Sequence, residues 1–567
     1  MAALVKKLKQ GRPYWYVTET ARVNGQPRIV RQRYLGTVES IEAAFDAAFE
    51  PLRVEEAEFG ASVTMWSLAQ AIGLGMAVDV ACPKRDQGLS VGTYLQAAAV
   101  NRAVRPCSKR AFHAWYARSA LARVVPAPEE SWSSQRFWDA MDRVPEDAAE
   151  AVEQSIVAGA VERFGVGTDA LVFDSTNFDT FIDSANARST LAKRGHAKSG
   201  RRDLRLVGLA LACSTDHQVP LASALVAGNS PDVRTFEAAL PKLVSRLGAL
   251  GVEPSSISLV FDKGNNSAAN LAKVGEAGIG FVGSLVPAQH PELLEVADEQ
   301  YCPVEGIDGV VAYRSQKEVF GALRTVVVTR SESFLAKQLA GLAQTRARTE
   351  EHLAELARLV DGGRHRMGPD ELARRADEAT EPRWMSQLYN CQVTGTTKED
   401  LGFSWSFDEA AFEELRRREL GKRVIFTDRH SWSTPEIVRA YRSQWEVEAA
   451  FRQLKRPDHS AFRPIHHWTD QKVRVHGLYS VAALLLVNLA WRQAERAGLG
   501  LSPREVLEAL AAIREVTLVY PPAKGKGNPR VLHKLTHMDN DQQALFNLFG
   551  LDLFAPREGN TAKWRGF

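Results

Sequence analysis

The sequence predicts an α/β protein: a mixed sheet flanked by helices, with an inserted α+β subdomain, preceded by an N-terminal β-hairpin and helical regions. Three observations predict it. Two short apolar runs, ALVFD at 170–174 and SISLVFD at 256–262, each read as a buried strand closed by an aspartate. Strand and helix patterns alternate from about 149 to 285, break off for about 130 residues and resume at 422. The stretch 441–455, YRSQWEVEAAFRQLK, has helical periodicity and neither Gly nor Pro.

Composition narrows the class. At 567 residues the chain is long enough for about three or four domains. Apolar content of 45% and charged content of 25% are those of an ordinary soluble globular protein. The opening MAALVKKLKQGRPYW lacks the apolar segment of a signal peptide. The most apolar run, Val481–Trp491, is too short to span a bilayer, so no membrane partner is expected. Cys82, Cys107, Cys213, Cys302 and Cys391 lie far apart with no CxxC pair. That argues against structural zinc and a disulfide framework, and suits a reducing cytoplasm. Net charge is only +3, but it is spread unevenly. Residues 1–40 carry eight Lys/Arg against Glu19 and Glu39, 102–123 carry six with no acid, and 188–205 carry seven against Asp203. One such run is ordinarily a solvated face; several in one chain fit contact with a phosphate backbone.

Six segments follow in order. Residues 1–60 read as a small basic β module, in which 14–20 and 28–35 alternate about an Asn24-Gly25 turn signal. It fits either a cap on a neighbouring domain or a grip on DNA ends. Residues 61–148 read as helices at 63–73, 93–103, 109–123 and 134–141. The basic, aromatic stretch with Arg110, His113, Trp115, Tyr116 and Arg118 fits a helix-turn-helix entering a groove, or equally a turn of a plain bundle. Residues 149–285 form the first part of the core. They give a helix at 150–164, a strand at 170–174 followed by the turn formers Ser175, Thr176 and Asn177, and a hairpin of 204–213 with 219–227. A helix at 232–247 and strands at 256–262 and 279–285 complete that part. Residues 286–421 read as the insertion, with strands at 310–313, 323–329, 390–396 and 403–407. Its 331–360 is one long helix or a helical hairpin continued at 369–379. Residues 422–500 resume the core with a strand at 422–427, a helix start capped by Ser433 or Thr434, helix 441–455 and an apolar helix at 473–493. Residues 501–567 are a C-terminal region: a helix at 502–514, a strand at 516–520, a basic loop with Lys524 and Lys526, and a closing helix near 542–549.

Helix 441–455 carries the chemistry. At about 100° per residue, positions seven apart share a face. Tyr441, Glu448 and Lys455 therefore align, with Gln444, Trp445 and Arg452 beside them. Val447, Ala450, Phe451 and Leu454 form the opposing apolar stripe. A Glu flanked by Arg and Lys is ordinarily a solvated ladder, but this face also holds Tyr441 and Trp445. A strand that ends in Asp delivers its carboxylate to the C-terminal edge of an open sheet. Asp174 and Asp262 would meet there as parallel neighbours, the hairpin and helix between them supplying the crossover. Glu448 would close the triangle. Three crowded carboxylates repel one another and need cations. Two Mg²⁺ ions suit them and can drive an in-line displacement at phosphorus. Arg452 and Lys455 would hold the flanking phosphates. Asp428, in FTDRH, is a rival acid at a strand end.

The spacing Tyr441, Gln444, Glu448, Lys455 resembles the signature of bacterial insertion-sequence transposases of the DDE class: Tyr, two residues, Arg, three residues, Glu, six residues, Lys. Gln444 departs from it, since a Gln can bond a phosphate oxygen but brings no charge. The surroundings are similar too: Asp174 in FDST, Asp262 in FDKG, Gly195-His196-Ala197-Lys198 before Asp203-Leu204, Gly228-Asn229-Ser230, and Phe426 to His430. The resemblance spans roughly 150–500. It implies an RNase H-like core whose insertion precedes the last acid. It implies Asp174, Asp262 and Glu448 as catalytic and metal-binding residues, with two Mg²⁺ ions that Mn²⁺ can replace. It implies DNA contacts from Tyr441, Gln444, Arg452, Lys455, Lys198, Lys263 and Arg110. The implied activity is recognition of terminal inverted repeats, nicking by water and joining of the freed 3′-OH to target DNA, by cut-and-paste. The implied partners are double-stranded DNA, as transposon ends and target, and a second copy in a synaptic homodimer, in the bacterial cytoplasm at the nucleoid. Many such enzymes also cut the second strand through a DNA hairpin. Trp384 or Trp405 could then stack a flipped base, although a buried core role suits either. Two rivals stay open: an RNase H-like nuclease without strand transfer, and a catalytically inactive DNA-binding protein derived from a transposase.

Overall fold

The computed structural model describes residues 2–23, 26–83, 88–197, 200–201, 203–363, 367–398, 400–522 and 528–556. The Asn24-Gly25 turn signal and the loop lysines Lys524 and Lys526 lie outside the described residues. In chain order, β1 (Ala2–Lys9), β2 (Arg12–Val23), β3 (Gln26–Gly36), α1 (Val38–Phe49) and β4 (Arg53–Glu58) come first. Helices α2 (Gly60–Ala71), α3 (Leu74–Ala81), α4 (Val91–Val104), α5 (Phe112–Ala117), α6 (Leu121–Val124), α7 (Ser134–Asp142) and α8 (Ala148–Phe164) follow. Next are β5 (Ala170–Thr180), β6 (Arg205–Ser214), β7 (Pro220–Ala227), α9 (Asp232–Ala249), β8 (Ser258–Phe261), α10 (Ala268–Glu276), β9 (Gly280–Leu285) and α11 (Pro291–Leu294). Then come β10 (Cys302–Pro303), β11 (Val310–Val319), β12 (Ala322–Ser331), α12 (Glu332–Asp361), α13 (Pro369–Thr380), α14 (Met385–Leu388), β13 (Tyr389–Thr394), β14 (Gly402–Phe407) and α15 (Glu409–Arg418). The chain closes with β15 (Lys422–Thr427), α16 (Thr434–Arg442), α17 (Trp445–Lys455), α18 (Asp470–Arg496), α19 (Pro503–Ala512), β16 (Arg514–Tyr520), β17 (Arg530–Leu535) and α20 (Asn540–Leu548). These elements form two compact units, Gly165–Arg452 and the pair of segments Met1–Phe164 and Gln453–Phe567.

In the unit Gly165–Arg452, nine strands form one sheet in the order β10-β11-β12-β15-β9-β8-β5-β6-β7. β5, β8 and β9 run parallel, and the remaining pairings are antiparallel. Parallel strands are covered on both faces and read as unbroken apolar runs; every residue of β8 and β9 is buried. One face carries Phe173, Phe261, Phe281 and Phe426, linked ring to ring and capped by Phe236 of α9. Residues 302–331, expected within the insertion, instead extend this sheet through β12 and β15, with Val328 opposite Val424. An alternating run shows that a strand has a buried face but not which strand it joins. The part outside the sheet runs from α12 to α15, around a cluster with Leu342, Leu353, Leu372, Met385, Leu388 and Phe403. Its first element is a single 30-residue helix, α12, not a hairpin.

Two local departures shape the candidate site. β5 continues through Ser175, Thr176 and Asn177 to Thr180, where a turn was expected, because β6 pairs with it along its whole length. Side chains that favour turns are engaged elsewhere: Asn177 Nδ2 donates to His196 O at 2.9 Å and Thr180 Oγ1 to Arg205 O at 2.9 Å. The stretch 441–455 is likewise not one helix. α16 ends at Arg442 and α17 starts at Trp445. Ser443 Oγ donates to Ala440 O at 2.6 Å, the local competition by which serine breaks a helical ladder. At the other end of α16, Ser433 is the cap, in a capping box with Glu436.

In the other unit, β1–β3 form a three-stranded antiparallel sheet and β4, β16 and β17 another. α18 has 27 residues and is long and apolar enough to cross a membrane, but 94% of its apolar window is buried against this unit's helices. α3 and α4 approach closely: a Cβ at Gly92 would lie 2.0 Å from Gly75 O, a contact only glycine permits. The stretch 109–123, expected as one helix of a helix-turn-helix, is two short helices, α5 and α6. Phe112, Trp115 and Tyr116 are buried, packing with Trp132 and Phe137. The aromatic face of α5 thus belongs to the core of this unit, while Arg110 and Ala114 stay exposed.

Candidate active site

β5 and β8 pair in parallel from Ala170–Ser258 to Phe173–Phe261. The next position on each is Asp174 and Asp262, just past the last pair, so the two acids leave the ladder on neighbouring strands whose backbones are about 4.8 Å apart. Asp262 keeps an extended backbone one residue past β8. Alternation turns both acids away from the Phe173–Phe261 face. Both are half-buried. Asp174 Oδ1 accepts from the Ser175 amide at 2.7 Å, and Asp262 Oδ1 accepts from Ser284 Oγ at 3.1 Å.

The helix pair α16–α17 lies over this same face. Tyr441 is buried; burial raises its hydroxyl pKa first, and the charge of Asp262 adds to this, while Ser284 and Arg423 oppose it. Glu446, in the first turn of α17, lies beside Cys213, which is opposite Val172 of β5. Burial pushes the Glu446 carboxyl up to about 7, and Gln218 bonds to it. The stripe Val447, Ala450, Phe451 and Leu454 is buried. Glu448 is exposed and makes no hydrogen bond or ion pair with any described residue.

The other sequence candidates scatter more widely. Gln444 is half-buried in the break between the helices, and Arg452 is exposed on α17. Lys455, half-buried, falls in the other unit, as does the exposed Arg110. Lys263 is exposed in the turn directly after Asp262. Lys198 lies outside the described residues. Asp428 is at the opposite edge of the sheet, because β15 is antiparallel to β9. There its Oδ1 accepts from the Phe281 amide at 2.9 Å, with Arg324 at 4.0 Å. Trp384 and Trp405 pack, partly buried, against the insertion's own cluster. Trp384 donates to Glu419 Oε2 at 3.3 Å, and the Trp405 ring lies 5.9 Å from that of Tyr389.

Among the described residues no three His, Cys, Asp or Glu side chains stand close enough together to hold a metal ion. The two strand-end carboxylates are hard oxygen donors of the kind a divalent cation takes; Glu448, on α17, is not grouped with them in this structure. Sequence reasoning missed two supporting residues. Ser284, on β9, has no local signal. Asp232 had one, as an acid in the first turn of α9, but nothing tied it to the strand ends.

Residues 166–376 match the family model described as the transposase DDE domain. The matched stretch contains Asp174 and Asp262 and ends before Glu448. No curated protein matches the chain. Among solved structures it is similar to the piggyBac transposase, from a cryo-EM structure of its synaptic complex with hairpin DNA. The TM-score is 0.35 and the identity 8%, over 81% of this chain and 82% of that one, a likeness too distant to carry an argument.

Proposed function

We propose that this chain is a DDE transposase of a bacterial insertion sequence, with an RNase H-like core. In this reading it cuts DNA at its element's terminal inverted repeats and joins the freed 3′ ends to target DNA by cut-and-paste, in the cytoplasm, as a synaptic homodimer. One observation carries the reading: Asp174 and Asp262 directly follow the last paired residues of two neighbouring parallel strands, inside the stretch that matches the family model. The mixed sheet, and a helix with a third acid lying over the face that bears both aspartates, support an RNase H-like core.

Asp174, Asp262 and Glu448 would hold two Mg²⁺ or Mn²⁺ ions. When bound, such ions activate the attacking oxygen and stabilise the leaving one. The chain's own groups would do the positioning. Ser284 orients the Asp262 carboxylate by its hydrogen bond, and the buried Tyr441 walls that side. Arg452, Lys263 and Gln444 would take phosphate oxygens beside the cut, the cations by charge-assisted bonds. The β1–β3 sheet exposes Lys6, Lys7, Lys9, Arg12, Arg22, Arg28, Arg31 and Arg33, a surface for sequence-independent backbone contact.

The test is incubation with double-stranded DNA carrying both flanks of the chain's own gene, followed by mapping of breaks. Cleavage at the flanks in Mg²⁺ or Mn²⁺ but not Ca²⁺, with joining of pre-cut ends, is the expected result. Cleavage without joining points to a nuclease. Binding with no metal-dependent cleavage points to an inactive derivative.

A further inference from the structure

We propose that Asp232 is a positioning residue that fixes the separation of Asp174 and Asp262; the proposal rests on reading those two as the metal-binding pair. The ladder between β5 and β8 stops at Phe173–Phe261, one residue short of both acids. Beyond it β5 continues along β6, while the chain after Asp262 bends into the turn Lys263–Asn265. Backbone pairing therefore does not hold the two carboxylates at a set distance. Asp232 does so from the opposite face of the sheet.

Ser175 follows Asp174 and so points to the other face. Its Oγ, in a 7% exposed residue, donates to Asp232 Oδ1 at 2.7 Å. Two residues after Asp262, Gly264 runs against the same carboxylate: a Cβ there would sit 3.1 Å from Asp232 Oδ2. One side chain thus touches the segment after each acid. A second tie runs beside it. The buried Asn270 donates from Nδ2 to Val233 O at 3.1 Å and to Asn265 O at 2.9 Å, joining the start of α9 to that turn. Asn266 Nδ2 donates to Ser284 O at 2.7 Å, and Ser284 Oγ holds Asp262. The chain of contacts from Asp174 to Asp262 is thereby closed through α9. An anion in this place would repel the neighbouring aspartates; as the first residue of an 18-residue helix, Asp232 meets the positive end of the helix dipole, which offsets that cost.

The full-length protein is titrated with Mn²⁺ in the absence of DNA, free ion being read by electron paramagnetic resonance. Asp232→Ala and Ser175→Ala are each expected to weaken binding about ten- to a hundredfold, the range for outer-shell partners of metal ligands. The double variant should be no weaker than Asp232→Ala alone, because the two act through one bond. Ser175→Thr, which keeps the hydroxyl, should bind as wild type. Gly264→Ala should weaken binding in the same direction and serves if Asp232→Ala does not fold. Mn²⁺ affinity unchanged in Asp232→Ala, Ser175→Ala and Gly264→Ala, with binding lost in Asp174→Ala, overturns the positioning role and leaves the site intact. Binding that survives Asp174→Ala overturns the site itself, and this proposal with it.

Discussion

Asp174 and Asp262 lie at one edge of the nine-stranded sheet, Asp428 at the other. In sequence the three look alike, each closing an apolar run. Their surroundings differ. β15 runs against β9, with Thr427 opposite Val282, so Asp428 emerges beside the start of β9. There it binds the Phe281 amide and faces Arg324. At the other edge, Asp262 has a single hydroxyl donor and stays half-buried next to Asp174. One acid closes a sheet; the other two stand together past the ends of two parallel strands. A strand-end carboxylate takes its role from the direction of its strand.

Turnover should separate the two edges most. Asp262→Ala is expected to lower Mg²⁺-dependent cleavage of flanking DNA on the order of a thousandfold, as removal of a group at a reacting centre does. Its melting temperature should hardly move; a large drop would put Asp262 in the same class as Asp428. Asp428→Ala should do the reverse. The Phe281 amide loses its acceptor, which costs about 1–3 kcal/mol, read as a lower melting temperature with unchanged cleavage per folded molecule. Cleavage lost at constant melting temperature would erase the distinction between the edges. Arg452→Ala, on the helix above the aspartates, should weaken DNA binding and lower the log–log salt slope by about 1. An unaltered slope takes Arg452 out of the phosphate contacts.

The smallest effect concerns Glu446, a half-buried acid on the aspartates' face. Its folded-state pKa is raised by burial from 4.5 to about 7. The folded protein therefore keeps a proton that the unfolded chain releases above its ordinary pKa. Stability from this group is full below about 4.5 and is lost as pH rises through about 7. In Glu446→Gln that loss disappears, so its melting temperature should gain on wild type between pH 5 and pH 8. A constant difference would mean that Glu446 is no more buried than Glu448.

Signals confined to a few neighbouring residues were legible in the sequence. ALVF and SLVF read as buried strands, Ser433 or Thr434 as the cap of a helix start, and Val447, Ala450, Phe451 and Leu454 as a core stripe. The strand-end reading of Asp174 and Asp262 asked for parallel neighbouring strands, and β5 and β8 are such a pair. Facts set by distant partners were not legible. β11 and β12 have ordinary alternation, and only pairing with β15 makes them part of the main sheet. The direction of β15, which removes Asp428 from the site, leaves no trace in VIFTD. The break at Ser443 comes from one side-chain bond inside a stretch of good helix formers. Trp115 and Tyr116 read as aromatics of a basic helix, but in the fold they pack on Phe112 and Trp132. Asp232 and Ser284 stand far in sequence from the acids they support.

The excursion from α12 to α15 leaves the sheet at Ser331 and returns at Gly421, whose carbonyl accepts the Ser331 amide at 3.0 Å, with Arg330 paired to Lys422. Its two ends are already where a tight β-turn would put them. Residues 332–420 are thus a cassette: they can grow, shrink or be exchanged while β12 and β15 stay in step. A chain in which Asn-Gly replaces them should retain its strand content by circular dichroism, and the same seam is a natural place to graft a foreign domain.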